Sequence, residues 1–154
     1  MGKSTLLNAL SGRKLAKTGN EPAVTQSQQR IKLDENWYLV DTPGMMWPNL
    51  EDQDAALRLA LTGTIRQTAL DIEDVGWSSA ELLYQLQPQT LMHRYKINEP
   101  PQTTEHLMQA IAEFAGAVGK KGSVDWHKTA ETLLNDFRSG KLGKISLENP
   151  PASK

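Results

Sequence analysis

The spacing of apolar residues divides the chain into two parts of different character. Residues 3–12 carry three leucines at helical spacing and end in Gly12, which predicts a short helix. Residues 13–29 are mostly polar and predict a loop. Residues 31–33 alternate like an edge strand, and the apolar run Trp37–Gly44 predicts a buried strand leading into a loop.

Helical spacing dominates after Pro48. The segment SSAELLYQLQ has Ser78 and Glu81 at capping-box spacing, which predicts a helix start at Ser78. A later helix is predicted from Thr103 or Thr104 to Gly119. The segments with this spacing are EDQDAALRLALTGTI, SSAELLYQLQ, TTEHLMQAIAEFAGAVG and DWHKTAETLLNDFRSG, and KLGKISLE is predicted to be extended. Residues 1–47 therefore predict a piece of an α/β domain, and residues 48–154 a small helical domain.

Composition limits the classes of function. The 154 residues include 17 basic and 18 acidic side chains, so no overall positive field draws the chain to nucleic acid or membrane. We therefore expect neither a membrane nor a DNA partner, and RNA contact requires a local basic patch. The chain has no cysteine, which suits a reducing cytosol, so we expect a cytoplasmic protein.

The sequence Gly2-Lys3-Ser4-Thr5 matches the second half of a phosphate-binding loop, G-x-x-x-x-G-K-[ST]. In such a loop, backbone amides and a helix N-terminus face the phosphates, the lysine reaches the β- and γ-phosphates, and the hydroxyl of the next residue binds Mg²⁺. A bare GK[ST] also occurs by chance in roughly one chain of this length in ten. The motif alone leaves both interpretations open.

Two further positions favour the phosphate-binding interpretation. Asp41 ends the apolar strand at the point where a P-loop enzyme needs a carboxylate for Mg²⁺, and the amide of Gly44 can approach a γ-phosphate. Thr25 lies in the polar loop between the two motifs, where a hydroxyl can complete the Mg²⁺ shell. Taken singly, DTPG is also an ordinary turn sequence and Thr25 an ordinary loop residue. Their order after GKST favours a nucleotide site.

These motifs, together with the run DTPGMMWPNLEDQDAALRLALTGTI, resemble the circularly permuted GTPases of the ribosome biogenesis GTPase A (RbgA) family. The resemblance implies an α/β fold, with a partial P-loop GTPase domain of one helix and about two strands followed by an all-α domain. It implies GTP and Mg²⁺ as ligands. The implied nucleotide-binding residues are Gly2, Lys3, Ser4, Thr5, Thr25 and Gly44, and the implied Mg²⁺ ligands are Ser4, Thr25 and Asp41.

The chain departs from the family pattern because the first P-loop glycine and the strand before it are missing, as is a second motif. The guanine-reading motif N-K-x-D is absent, and the family places it before the P-loop. We therefore expect the C-terminal half of a GTP hydrolase, beginning inside the P-loop and weak or inactive alone. Met45 stands where other GTPases carry a water-orienting glutamine, so the catalytic residue is not identified.

The resemblance also implies a partner, the large ribosomal subunit. Candidate RNA contacts are the basic residues Lys120, Lys121, Arg138, Lys141 and Lys144. The simpler interpretation of each is a solvated surface charge. Two other functions stay open: a nucleotide-independent module that binds rRNA or the ribosome, and an ATP-using P-loop enzyme.

Overall fold

The computed structural model describes residues 3–12, 29–41, 52–64, 71–120 and 122–148. These ranges contain one β-hairpin and six α-helices. The elements in chain order are α1 (Lys3–Ser11), β1 (Gln29–Asp34), β2 (Trp37–Asp41), α2 (Gln53–Leu61), α3 (Ile72–Leu86), α4 (Pro88–Tyr95), α5 (Thr104–Ala115) and α6 (Trp126–Arg138). None of the helices in these ranges is long and apolar enough to cross a bilayer.

Strands β1 and β2 form an antiparallel hairpin in which Ile31 pairs with Leu39. Helix α1 packs on β2 and buries Leu7. The prediction that β2 is buried is wrong for its described side chains, since Trp37 is 71% exposed and Tyr38 46% exposed. The reason is the size of the sheet. The described part contains two strands, and such a sheet shields few of its own side chains.

The helices from α2 to α6 share one hydrophobic core. Helix α6 packs against both α3 and α5, and a leucine beyond its end, Leu142, completes the core. The buried members are Leu61, Ala80, Leu83, Leu91, Tyr95, Leu107, Met108, Ile111, Leu133, Leu134 and Leu142. Burying each leucine side chain contributes about 1.5–3 kcal/mol, so this core is the main stabilising term for the helical part.

Helix α3 begins seven residues earlier than its capping-box sequence predicts, since the N-cap is Asp71 and not Ser78. The Asp71 side chain accepts a hydrogen bond from the Glu73 amide at 2.9 Å, so Asp71 is the N-cap. Ser78 and Glu81 lie inside the helix, and the predicted start at Ser78 is wrong. A capping-box sequence cannot cap where the preceding residues already continue the helical apolar face, as Ile72 and Val75 do here.

Helix α5 starts where the sequence predicts but ends earlier. The hydroxyl of Thr103 accepts a hydrogen bond from the His106 amide at 3.2 Å and caps the helix. Gly116 then adopts a left-handed conformation with φ 62°, which ends the helix and corrects the predicted end at Gly119. The chain continues into a narrow turn closed by a bridge between Val118 and Val124.

Helices α3 and α6 approach closely at Gly76. A Cβ atom at this glycine would lie 2.4 Å from the Cβ and 3.0 Å from the Cα of Ala130. Both distances are shorter than van der Waals contact, so the two backbones meet with no space for a side chain between them. A glycine inside a helix normally costs about 1 kcal/mol relative to alanine, and here the packing requires it.

We expect Gly76→Ala to destabilise the protein by about 1–3 kcal/mol, because overpacking outweighs the gain in helix propensity. The measurement is urea unfolding followed by far-UV circular dichroism. Ser78→Ala on the exposed side of α3 is the matched control and should change stability by less than about 0.5 kcal/mol. Adding Ala130→Gly to Gly76→Ala should restore part of the loss. No recovery in the double variant would contradict the close approach as the cause.

Candidate functional site

The phosphate-binding motif lies at the start of α1. The helix begins at Lys3, so Lys3, Ser4 and Thr5 form its first turn, and Thr5 is exposed. The amides of a first helical turn have no intrahelical partners, and the helix dipole adds positive character there. The first turn, KSTL, carries no acidic side chain that would compete with a phosphate. Gly2 lies outside the described residues.

The predicted Mg²⁺ ligands belong to three segments. Asp41 is the last residue of β2 and pairs with Gln29 across the hairpin. Because α1 packs on β2, the elements that carry Ser4 and Asp41 belong to one unit. A hydroxyl and a carboxylate are oxygen donors of the kind that Mg²⁺ prefers, so the residue types fit this ion. Thr25 and Gly44 lie outside the described residues.

The acidic residues at the start of α2 form a helix cap. The Asp52 side chain accepts hydrogen bonds from the amides of Asp54 and Ala55 at 2.9 and 3.1 Å. Its carboxylate therefore satisfies two amides that the helix leaves without partners, and its charge suits the positive end of the dipole. These contacts explain Asp52 as a helix cap without a metal ion.

The end of α2 is held by an arginine from α6. The Nε of Arg138 donates to the carbonyl of Leu61 at 3.0 Å, and its Nη2 donates to the carbonyl of Ala60 at 2.8 Å. The last carbonyls of a helix are short of partners, and a cation suits this negative end of the dipole. Burial lowers the pKa of Arg138, although a guanidinium stays protonated in proteins. We call this pair of hydrogen bonds the Arg138 clamp.

The clamp also explains Gly63, the last residue of the run LRLALTG. Gly63 has φ +73°, and a Cβ there would lie 3.1 Å from the Nε of Arg138. The hydroxyl of Thr62 donates to the Leu59 carbonyl at 3.0 Å and lies 2.8 Å from the Thr64 hydroxyl. The glycine thus turns the chain and leaves space for the guanidinium, while the threonines close the helix end. This motif joins the segment after DTPG to the helical core.

The candidate RNA contacts differ in their surroundings. The Nε and Nη2 of Arg138 are occupied by the clamp, so we leave Arg138 out of any proposed RNA surface. Lys120 is exposed in the turn between α5 and α6, and Lys121 lies outside the described residues. Lys141 is 57% exposed and pairs with Asp136 at 3.1 Å. Lys144 is exposed in the segment after α6.

The structure adds basic residues that the sequence analysis missed. His93, Arg94 and Lys96, at the end of α4, line one groove with Lys141 and Lys144. The sequence feature that could have indicated these residues is the basic last turn of α4, because cations suit the C-terminal end of a helix dipole. It was not recognised because α4 itself was not predicted.

The GKST motif at the start of α1, the following hairpin and Asp41 are features of the P-loop GTPase class, and a comparison with protein families agrees. Residues 1–75 match the family model described as "50S ribosome-binding GTPase". The matched region extends beyond the hairpin, through the Arg138-bound end of α2, to the first turn of α3.

Individual relatives show which kind of P-loop GTPase the chain resembles. The chain is 42% identical over 97% of its length to Ribosome biogenesis GTPase A of Bacillus cereus, and it covers 51% of that protein. It is 41% identical, again over 97%, to the Priestia megaterium protein of the same name, and it covers 52% of it. Probable ribosome biogenesis GTPase A of Mycoplasma genitalium is 26% identical over 96% of the chain, which covers 53% of that relative.

The resemblance to the ribosome biogenesis GTPase A family is therefore confirmed. The chain spans about half the length of the curated relatives it matches. The similarity covers nearly all of this chain, including the helical part that lies beyond the GTPase family match.

We expect Arg138→Ala to destabilise the protein by about 2–3 kcal/mol, because hydrogen bonds from a charged donor contribute about 1.5–3 kcal/mol and partly buried carbonyls lose their partner. Hydrogen exchange of the amides in 53–64 should accelerate. Exchange measured by mass spectrometry, together with urea unfolding, tests both effects.

Arg138→Lys keeps the charge but cannot form the forked pair of bonds, so it should recover only part of the loss. Lys144→Ala, an exposed change after the same helix, is the control and should leave α2 exchange unchanged. Unaltered exchange in 53–64 for Arg138→Ala would show that the clamp does not hold α2.

Proposed function

We propose that the chain is part of a ribosome biogenesis GTPase that binds GTP with Mg²⁺ and hydrolyses it during assembly of the large ribosomal subunit. The observation that carries the proposal is the position of GKST, whose lysine begins α1. The family match over residues 1–75 and the names of the relatives support it. A cytoplasmic location and a permuted order of motifs are parts of the same proposal.

The proposed roles follow from the chemistry of each residue. The α1 amides and Lys3 bind the β- and γ-phosphates, and the Gly44 amide approaches the γ-phosphate. Ser4, Thr25 and Asp41 hold Mg²⁺, which neutralises phosphate charge when bound. Gly2 and Thr5 complete the loop around the phosphates. No side chain is assigned to water activation.

The proposed division of labour separates residues 1–47 from residues 48–154. The first part carries the nucleotide motifs, and the second contacts the ribosome. The Arg138 clamp lies within the second part and connects α2, which follows the DTPG segment, to the helical core. A change in the DTPG segment would therefore reach the helical core through α2.

We expect the chain to bind a fluorescent GTP analogue in a Mg²⁺-dependent manner, and Lys3→Ala to weaken this binding by about tenfold or more, because a charge-assisted phosphate contact contributes more than a neutral hydrogen bond. Fluorescence titration is the measurement. Lys32→Ala on the exposed face of the hairpin has the same charge change and should bind normally.

On a longer chain that includes the guanine-reading motif N-K-x-D, unlabelled GTP should displace the analogue much better than ATP. Equal displacement by both would favour an ATP-using P-loop enzyme.

Cosedimentation with purified 50S and 30S subunits tests the partner, and equal recovery with both would contradict the large-subunit assignment.

A second candidate function is a nucleotide-independent module that binds rRNA or the ribosome. The shared core of the helical part favours it, because that core holds no residue of the phosphate-binding motif. Cosedimentation with 50S subunits without detectable GTP binding would support this module over the GTPase.

A further inference from the structure

A groove lies between α4, α5 and the segment that follows α6. Its volume is about 810 Å³, and Leu142, buried beneath the segment, anchors one wall in the core. We call it the α4–α5 groove. The side chains that concern its chemistry are His93, Arg94, Lys96, Phe114, Lys141 and Lys144.

The groove is strongly basic although the chain as a whole has a formal charge of −1. Four permanent cations line it, and none of the described lining residues is acidic. They come from two segments far apart in sequence, at the end of α4 and after α6. Such a concentration of one charge sign in a concave surface raises the local concentration of anionic ligands.

A buried carboxylate holds two of these cations in place. Asp136 is 2% exposed; its Oδ2 lies 2.9 Å from the Nε and 2.9 Å from the Nη2 of Arg94, and its Oδ1 lies 3.1 Å from the Nζ of Lys141. Burial and the charge of Asp136 raise the pKa of the neighbouring Tyr95. One carboxylate thus orients two cations while Lys96 and Lys144 stay exposed.

The groove also has an aromatic surface. The Cζ of Arg94 lies 4.8 Å from the centre of the Phe114 ring, and Tyr95 meets the same ring edge-on at 5.4 Å. Phe114 is 36% exposed despite its size. In proteins that bind single-stranded RNA, unpaired bases stack on aromatic rings and on arginine guanidinium planes, and this groove offers both.

We propose that the α4–α5 groove binds single-stranded or looped RNA, with Lys96, Lys141 and Lys144 on the phosphates and the Phe114–Arg94 pair against a base. This assignment rests on the proposed ribosomal function and identifies the surface that would serve it. The aromatic surface favours RNA over an acidic peptide, because carboxylates and phosphates alone require only the cations.

The first test neutralises the two exposed lysines. Lys96→Asn with Lys144→Gln should weaken binding of a fluorescein-labelled 20-nucleotide single-stranded RNA by about tenfold or more at 0.1 M salt. The slope of log affinity against log salt should become shallower by about 1.4, at about 0.7 per lost contact on a single strand. Asparagine suits position 96 because this residue has φ 57°.

The matched control is Arg30→Gln with Lys32→Gln, which removes two exposed charges from the hairpin. It should leave the affinity and the salt slope unchanged. Equal losses in both double variants would show a non-specific charge effect and overturn the proposal. Circular dichroism checks that each variant folds.

The second test removes the aromatic surface while keeping an apolar side chain. Phe114→Leu should weaken the single-stranded RNA by about fivefold or more with no change in salt slope, because base stacking is lost and phosphate contacts remain. Binding of a fully paired RNA duplex should change little. An equal effect on duplex RNA would overturn the role of Phe114.

Four outcomes separate the proposals. RNA binding that the groove variants do not weaken overturns the groove assignment and leaves the ribosomal function standing. RNA binding lost in the groove variants, in a chain that binds no GTP, supports the groove and favours the nucleotide-independent module. A groove that prefers poly-glutamate to RNA, or a wild-type chain that binds no RNA, overturns the groove assignment. The 50S cosedimentation then decides the ribosomal function separately.

Discussion

The arrangement of the helical part depends on the hydrogen bonds that the last carbonyls of α2 accept. A helix leaves its last carbonyls without intrahelical partners, and covering them with protein without donors would cost free energy. Arg138 supplies two donors in a fixed fork, and its positive charge opposes the negative end of the α2 dipole. The consequence reaches the sequence just after α2, because Gly63 must leave space for the guanidinium. The glycine of the run LRLALTG is therefore required by a residue on another helix.

Local signals were enough to predict several of the elements. Thr103 caps α5 and Asp125 caps α6 with side chains that hydrogen-bond to amides three residues ahead, so their sequences alone contain the helix starts. Helix α4 escaped prediction because Gln87 makes no side-chain cap and Pro88 looks like a break, although proline is well suited to a first helical turn. The start of α3 was placed wrongly because two capping sequences compete and packing decides between them.

The candidate sites also differ in whether the sequence alone predicts them. GKST and DTPG are contiguous, so the sequence alone suggests the phosphate chemistry, and the structure adds that α1 begins at Lys3. The clamp joins Arg138 to Leu61 and Ala60, which lie 77 and 78 positions earlier in the chain. No local sequence pattern predicts a contact over that separation. The basic groove likewise combines α4 with residues after α6. Lys141 and Lys144 are candidate RNA contacts from their charge alone. Arg94 and Phe114 become candidates only because the structure shows that they contact each other.

The last turn of α6 serves both the clamp and the groove. Asp136 and Arg138 are two residues apart, so about 200° of rotation separates them around the helix and they point to different sides. Asp136 orients two cations of the groove, and Arg138 binds α2. A substitution at Asp136 would also leave Arg94 without its carboxylate next to the core, so a loss of RNA binding there could not be separated from a loss of fold. Lys96 and Lys144 make no such contact with Asp136, and their charges can therefore be removed while the wall of the groove stays in place.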